Sequence, residues 1–314
     1  MTQSLFPAAS AATGNPPVAE WPASASHSLQ SIADAGAAGG DWFSTEDLRR
    51  PVLRYHGGKW RLAPWVISHM PAHKCYVECF GGAAGVLLRK KRSTIEVYND
   101  LDTQVVNYFR VLRDPELRVR LVSLLELTPF SRGEFEASYE FSPDPVEAAR
   151  RFVTRCFLGH GTCSVDPDDS NGFRSCDIRA GKSYAREWAG VPDAIAAAAD
   201  RLTGVTIENL DFRKLLHKFN SPETLFYLDP PYPLSTRQAG GKGYVHEMSD
   251  ADHRQMAWML RGTSAKVMIS GYPCSLYDDL YSSWRRVEKK TTANGQRGAV
   301  PRTEVLWMNF PGET

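Results

Sequence analysis

Apolar positions along this chain fall into two rhythms. Short dense runs, "KCYVECF" (74–80), "STIEVYND" (93–100), "VTIENLDF" (205–212), "TLFYLDPPY" (224–232) and "KVMISGY" (266–272), read as strands buried on both faces. Between them lie stretches with helical spacing: "KWRLAPWVISHM" (59–70, Pro64 in its first turn), "GVLLRKK" (85–91) and "DTQVVNYFRVLRD" (102–114). Strand alternating with helix predicts a parallel sheet covered on both sides. The rhythm breaks over residues 114–204. There "ELRVRLVSLLEL", "PVEAARRFVTRCFL" and "PDAIAAAADRL" are helical and surround the polar loop "SVDPDDSNGFRSCDIRAGKSYAR", so an inserted, mostly helical domain is expected. At the end, "SWRRVEKKTTA" and "RTEVLWMNF" flank the turn dipeptide Asn294-Gly295. A terminal hairpin of this kind makes the sheet mixed.

Composition adjusts this picture at the edges. Residues 1–47 are rich in Ala, Ser, Pro and Gly and offer little to build a core, so a disordered tail is expected, with room for a short helix or a partner-binding segment. The rest of the 314 residues then divides into a catalytic domain (48–113 and 205–314) and the insertion (114–204). A formal net charge of +1 argues neither for nor against a nucleic-acid partner, because clustering decides that. The start lacks a basic segment followed by an apolar one, and no apolar run is long enough to span a bilayer. Six cysteines are too sparse for a disulfide scaffold, and a cytoplasmic location is the simplest expectation. Cys156, His160, Cys163 and Cys176 fit no common zinc spacing, so no metal is expected.

Three motifs carry chemistry. In "ECFGGAAG", Gly81, Gly82 and Gly85 sit between strand and helix, where missing Cβ atoms would let a ligand approach the backbone near a helix N-terminus. A merely structural turn reads the same way, and the spacing is not that of a dinucleotide site. Asp100 closes the next strand, about 20 residues on, where a carboxylate can accept hydrogen bonds from ribose hydroxyls; a helix N-cap is the alternative, as it is for Asp102. "DPPY" is the specific feature. An aromatic amine is a poor nucleophile because its lone pair is delocalised. The Asp229 carboxylate and the Pro230 carbonyl could accept its two N–H bonds and direct the lone pair outward. Pro230 and Pro231 stiffen the backbone, and Tyr232 offers a ring on which a base can stack. Two basic segments flank this motif: "PLSTRQAGGKGYVHEM" (233–248), which contains Arg237 and reads as a lid, and Arg285–Arg302, which contains Lys289, Lys290 and Arg297 and could follow a phosphate backbone.

Taken in order, "RYHGGK", "ECFGGAAG", "VYND", "ENLDF" and "DPPY" resemble the Dam-type (alpha-class) adenine-specific DNA methyltransferases over about residues 50–314. The resemblance implies a Rossmann-like methyltransferase sheet with an inserted target-recognition domain. It implies transfer of a methyl group from S-adenosyl-L-methionine to the N6 amine of an adenine flipped out of duplex DNA. It places Tyr55 and Lys59 near the methionine end of the cofactor, with Glu78, Phe80 and the glycines from Gly81 lining it. It gives the ribose to Asp100, the cofactor adenine to Asp211 and Phe212, and the reacting base to Asp229 and Tyr232. The chain departs from the family pattern at Tyr55, often Trp, and at Cys79, often Pro. It departs more in the insertion, where only Gly172 and Phe173 match the "GFNVPFG"-like stretch of members that methylate GATC, so that specificity is not carried over. Arg174, Arg179, Lys182 and Arg186 are the candidates for base or phosphate contacts. A methyltransferase acting on RNA or on the cytosine amine, and a catalytically silent DNA-binding relative, remain alternatives. A monomer is favoured, and a cognate restriction endonuclease as partner is left open.

Overall fold

The computed structural model describes Leu48 and residues 50–161, 172–177, 181–237, 243–295 and 298–312. The expected N-terminal tail lies outside the described residues. The sheet is built from β1 (Cys75–Glu78), β2 (Ile95–Asn99), β5 (Val205–Glu208), β6 (Thr224–Leu228), β7 (Lys266–Gly271), β8 (Arg285–Gly295) and β9 (Gly298–Met308). The two-residue strands β3 (Cys176–Asp177) and β4 (Lys182–Ser183) pair separately. The strand order is β5-β2-β1-β6-β7-β9-β8, parallel as far as β7. β9 enters antiparallel between β7 and β8. The α/β sheet with a reversed terminal hairpin is therefore present, and its shape is consistent with a methyltransferase fold.

Residues of period two explain how it is covered. Tyr76, Tyr98, Leu225, Tyr227, Met268 and Leu306 point into one core; Val77, Val97, Phe226, Leu228, Ile269 and Trp307 point into the other. The first core is closed by α2 (Thr103–Arg113), α3 (Pro115–Leu127), α5 (Pro145–Leu158) and α7 (Val191–Leu202). The short α4 (Arg132–Ala137) and α6 (Tyr184–Ala189) add Phe135 and Trp188 to it. The second core is closed by α8 (Phe212–Lys218), α9 (Asp250–Arg261) and α10 (Ser275–Leu280). Helices of the 114–204 stretch thus share one continuous core with a face of the sheet.

Two helical expectations need correction. "KWRLAPWVISHM" forms only α1 (Ala63–Ile67). "GVLLRKK" is a chain of turns and not a regular helix. The cause lies in β1. The Leu87 N–H donates to Glu78 Oε2 at 2.9 Å in place of a helical carbonyl, and Ala84 adopts φ 54°. α8, α9 and α10 carry no sequence expectation above; α9 starts at a capping box made by Ser249 and Asp252.

Candidate active site

β1 leads to β2 on one side, and its neighbour β6 leads to β7 on the other. The crevice between such strands, at their C-terminal ends, is where open α/β sheets bind ligands. A cavity of about 220 Å³ lies there, and both Glu78 and Asp229 line it from these two strand ends. Tyr55, Lys59, Phe80, Asp100, Asp211 and Phe212 line it too. The sequence candidates for the cofactor therefore converge with Asp229 and Pro231 on one cavity, which Pro230 and Tyr232 do not line.

The glycine turn works differently from expectation. A Cβ on Gly81 would lie 2.2 Å from the Tyr98 ring, and one on Gly85 would lie 2.9 Å from the Trp60 backbone nitrogen. Those positions are filled by the protein itself. Gly82 is the glycine of this turn with positive φ (47°), and its N–H donates to Asp100 Oδ2 at 2.8 Å. The segment that follows keeps two helical bonds, from the Leu88 N–H to the Ala84 carbonyl and from the Lys90 N–H to the Val86 carbonyl, without forming a regular helix.

Asp100 also accepts the Asp102 N–H through Oδ1 at 2.9 Å, while Asp102 caps α2 by accepting from the Gln104 N–H. The N-cap role thus falls to Asp102. Burial pushes the Asp100 carboxyl up to about 6, although the amides of Asp102 and Gly82 pull it back. Burial also pushes Glu78 up to about 8, against the Tyr76 hydroxyl and Leu87 amide that donate to it. Tyr55 donates to Asp102 at 3.3 Å. On the far wall, the Phe80 and Phe212 rings pack 5.5 Å apart, and Asp211 caps α8 by accepting from the Arg213 N–H. Asn99 ties these parts together: it donates to the carbonyls of Cys79 and Leu210 and accepts the Leu210 N–H.

At β6, Asp229 Oδ1 accepts the Ser270 hydroxyl at 2.8 Å, and Oδ2 lies 2.8 Å from Lys59 Nζ. Burial would lower the Lys59 ammonium, but Asp229 and Glu304 outweigh it and hold it above its ordinary value. The Tyr232 hydroxyl reaches both Asp229 Oδ1, at 3.1 Å, and Glu304. Its ring meets Tyr272 edge-on at 4.8 Å, and Lys59 Nζ sits 5.0 Å from its centroid. Pro231 lines the cavity and Pro230 is buried.

The nucleic-acid candidates are placed less uniformly. Arg237 forms a two-pronged pair with Glu247 and also holds the Tyr232 carbonyl at 2.8 Å. Glu247 in turn accepts the amides of Gly243 and Tyr244, so the described parts of the expected lid are bonded to one another, and residues 244–248 line the cavity. Arg174 pairs with Glu187 and stacks on Tyr184. Lys182 and Arg186 are exposed. Arg179 and Arg297 lie outside the residues whose side chains are described. Of the zinc candidates, Cys156 is buried in α5 and Cys176 is exposed; Cys163 lies outside the described residues. Beside Tyr232 a second groove is lined by Thr236, Tyr272, Lys290, Thr291, Arg302 and Thr303. Ser270, Tyr272 and Glu304 went unnoticed in the sequence, since each looks like an ordinary strand or loop residue until the strands are paired.

A mostly parallel sheet with a reversed last strand, and a crevice that joins an acid-lined cavity to a "DPPY" acid, defines a methyltransferase-type α/β protein. Residues 55–294 match the model of the D12 class N6 adenine-specific DNA methyltransferases, and the chain belongs to that family. It is similar to a DNA adenine methylase of Serratia marcescens, 23% identical over 270 residues that cover 82% of this chain and 96% of that protein. A precorrin 8W decarboxylase structure from Methanobacterium thermoautotrophicum aligns over 80% of this chain and 90% of its own, at 9% identity and a TM-score of 0.32; a likeness so weak carries no argument.

Proposed function

We propose that this chain transfers a methyl group from S-adenosyl-L-methionine to the exocyclic N6 amine of an adenine flipped out of duplex DNA. The observation that carries this is one cavity shared by Asp100 and Asp229, the first suited to a ribose and the second to an amine. The cofactor fits the residues present. Its cationic groups suit a cavity that Asp100, Asp102, Asp211 and Asp229 line. The Phe80–Phe212 pair offers its adenine a wall, and Asp100 has acceptor sites left beyond the two amides it binds. When bound, the cofactor supplies an electrophilic methyl group.

The protein's own part is to orient the amine. Asp229 accepts one of its N–H bonds and the Pro230 carbonyl the other. Ser270 and Lys59 hold the carboxylate in place. The Tyr232 ring stacks on the flipped base. Residues 114–204 serve as the target-recognition region, with Lys182 and Arg186 exposed for contact. The chain works on DNA in the cytoplasm and needs no metal or endonuclease for the transfer itself.

Asp100→Ala should weaken cofactor binding by about 1.5–3 kcal/mol, the range for hydrogen bonds to a charged group. Because the Asp100 carboxyl is raised to about 6, its ionised, accepting form is gained as pH rises through that value. Wild-type affinity for S-adenosyl-L-methionine should therefore increase between about pH 5 and pH 7, and Asp100→Asn should flatten the curve. Calorimetry that finds no saturable binding by the wild type would remove the cofactor from the reading; a wild-type affinity independent of pH would remove Asp100.

The groove next to Tyr232 supports a path for the DNA strand. Lys290 and Arg302 should each neutralise one phosphate, so Lys290→Ala or Arg302→Ala should reduce the slope of log Kd against log salt by about 0.9. An unchanged slope in both variants would move the backbone path elsewhere.

A further inference from the structure

Tyr232 has one hydroxyl proton and two carboxylates within reach, and only one of them belongs to the amine chemistry proposed above. We propose that Glu304 is a positioning residue: it accepts the hydrogen bond that the Tyr232 hydroxyl donates, so that Asp229 keeps a further acceptor site for the target amine and the Tyr232 ring is held at a fixed angle. This rests on the reading of Asp229 as the amine's acceptor.

Glu304 lies on β9, 2% exposed, one residue before Val305, which pairs with Gly271 at the end of β7. A buried acid there needs partners. Among the described residues it has two: the Tyr232 hydroxyl and Lys59 Nζ at 3.7 Å. Lys59 therefore stands between two acids, closer to Asp229 than to Glu304. Burial raises the Glu304 carboxyl and Lys59 pulls it back.

Counting acceptor sites shows what Glu304 contributes. A carboxylate offers about four. On Asp229, Ser270 takes one and Lys59 another. If the Tyr232 hydroxyl also donates there, Oδ1 is filled and a single site remains on Oδ2. If it donates to Glu304, Asp229 keeps a site on each oxygen, and the amine can approach from either. The same bond fixes the ring. Tyr232 is then held at its hydroxyl by Glu304, on its edge by Tyr272 and at its carbonyl by Arg237. A bare packing role would need no carboxylate, and a purely electrostatic partner for Lys59 would not need to touch the tyrosine.

The test is a double-mutant cycle on single-turnover methyl transfer to duplex DNA, with cofactor affinity measured on the same preparations. Glu304→Ala should slow transfer about tenfold, as a misplaced reacting group would, with cofactor affinity within about twofold. Glu304→Gln, which keeps an acceptor oxygen, should recover most of the rate. In the Tyr232→Phe background, Glu304→Ala should cost nothing further. Equal losses from Glu304→Ala with and without the Tyr232 hydroxyl would overturn the proposal, as would an undiminished rate. In fluorotyrosine-labelled protein, the ¹⁹F resonance assigned to Tyr232 should shift on Glu304→Ala. A resonance that stays put would overturn the contact even if the wild type methylated nothing, so failure of this inference and failure of the proposed function remain separable.

Discussion

Asp229→Ala should lower methyl transfer by at least about 100-fold, the scale of losing one preorganised electrostatic partner at a reacting centre, with a much smaller effect on cofactor affinity. Ser270 and Lys59 hold this carboxylate on two different oxygens, so it is already oriented before any amine arrives. The cofactor contacts are proposed at Asp100, Phe80 and Phe212, on other walls of the same cavity. The alanine variant also leaves Lys59, a buried ammonium, with Glu304 at 3.7 Å as its remaining acid. Breaking a buried pair in this way costs about 3–5 kcal/mol, reduced here by that second acid. Asp229→Asn is therefore the companion variant: it keeps shape and one acceptor oxygen and should still lose most of the rate. The check is single-turnover transfer of labelled methyl, alongside calorimetry with S-adenosyl-L-methionine. Near-normal transfer by both variants would remove Asp229 from the mechanism.

The largest effect on stability should come from Glu96→Ala. Glu96 sits in β2 at 3% exposure and receives both arms of the Arg201 guanidinium, at 2.6 and 2.8 Å, and Lys90 Nζ at 2.6 Å. Arg201 comes from α7, so the pair pins the helical region to the sheet. Deleting the carboxylate strands two buried cations, and a loss of about 3–5 kcal/mol is expected. The pH dependence has a definite sign. Burial would raise the Glu96 carboxyl, but Arg201 and Lys90 outweigh it and hold it below its ordinary value of 4.5. A folded value below the unfolded one means the contribution is complete above about pH 4.5 and fades as pH falls through the folded value. The gap between wild type and Glu96→Ala in urea denaturation should thus narrow in acid. A gap below about 1 kcal/mol at neutral pH would show that the site rehydrates.

The parts of the fold that could be read in the sequence are those that local pattern controls. Strands such as "TLFYL" declare themselves because burial on both faces leaves no charged position, and α5 follows "PVEAARRFVTRCFL" residue for residue. The helix expected after the glycines does not form regularly, because Glu78 takes the Leu87 amide and Ala84 adopts a positive φ. The candidate site was legible where a residue sits at a strand end, as with Glu78, Asp100 and Asp229. Glu304 was hidden: an acid in "RTEVLW" looks like a solvent-facing strand residue until β9 is inserted beside β7. The Tyr232 hydroxyl was hidden for the same reason, since its second partner, Glu304, comes from a strand far along the chain. Arg237 stands in the glycine-rich segment read as a lid, and only the fold shows its pairing with Glu247.

The most direct measurement is nucleoside analysis of duplex DNA after incubation with the purified protein and methyl-labelled S-adenosyl-L-methionine. The account requires the label on N6-methyladenine, lost in Asp229→Ala. Label on the cytosine amine, transfer to RNA in preference to duplex DNA, or no transfer at all from a wild type that binds the cofactor would contradict it.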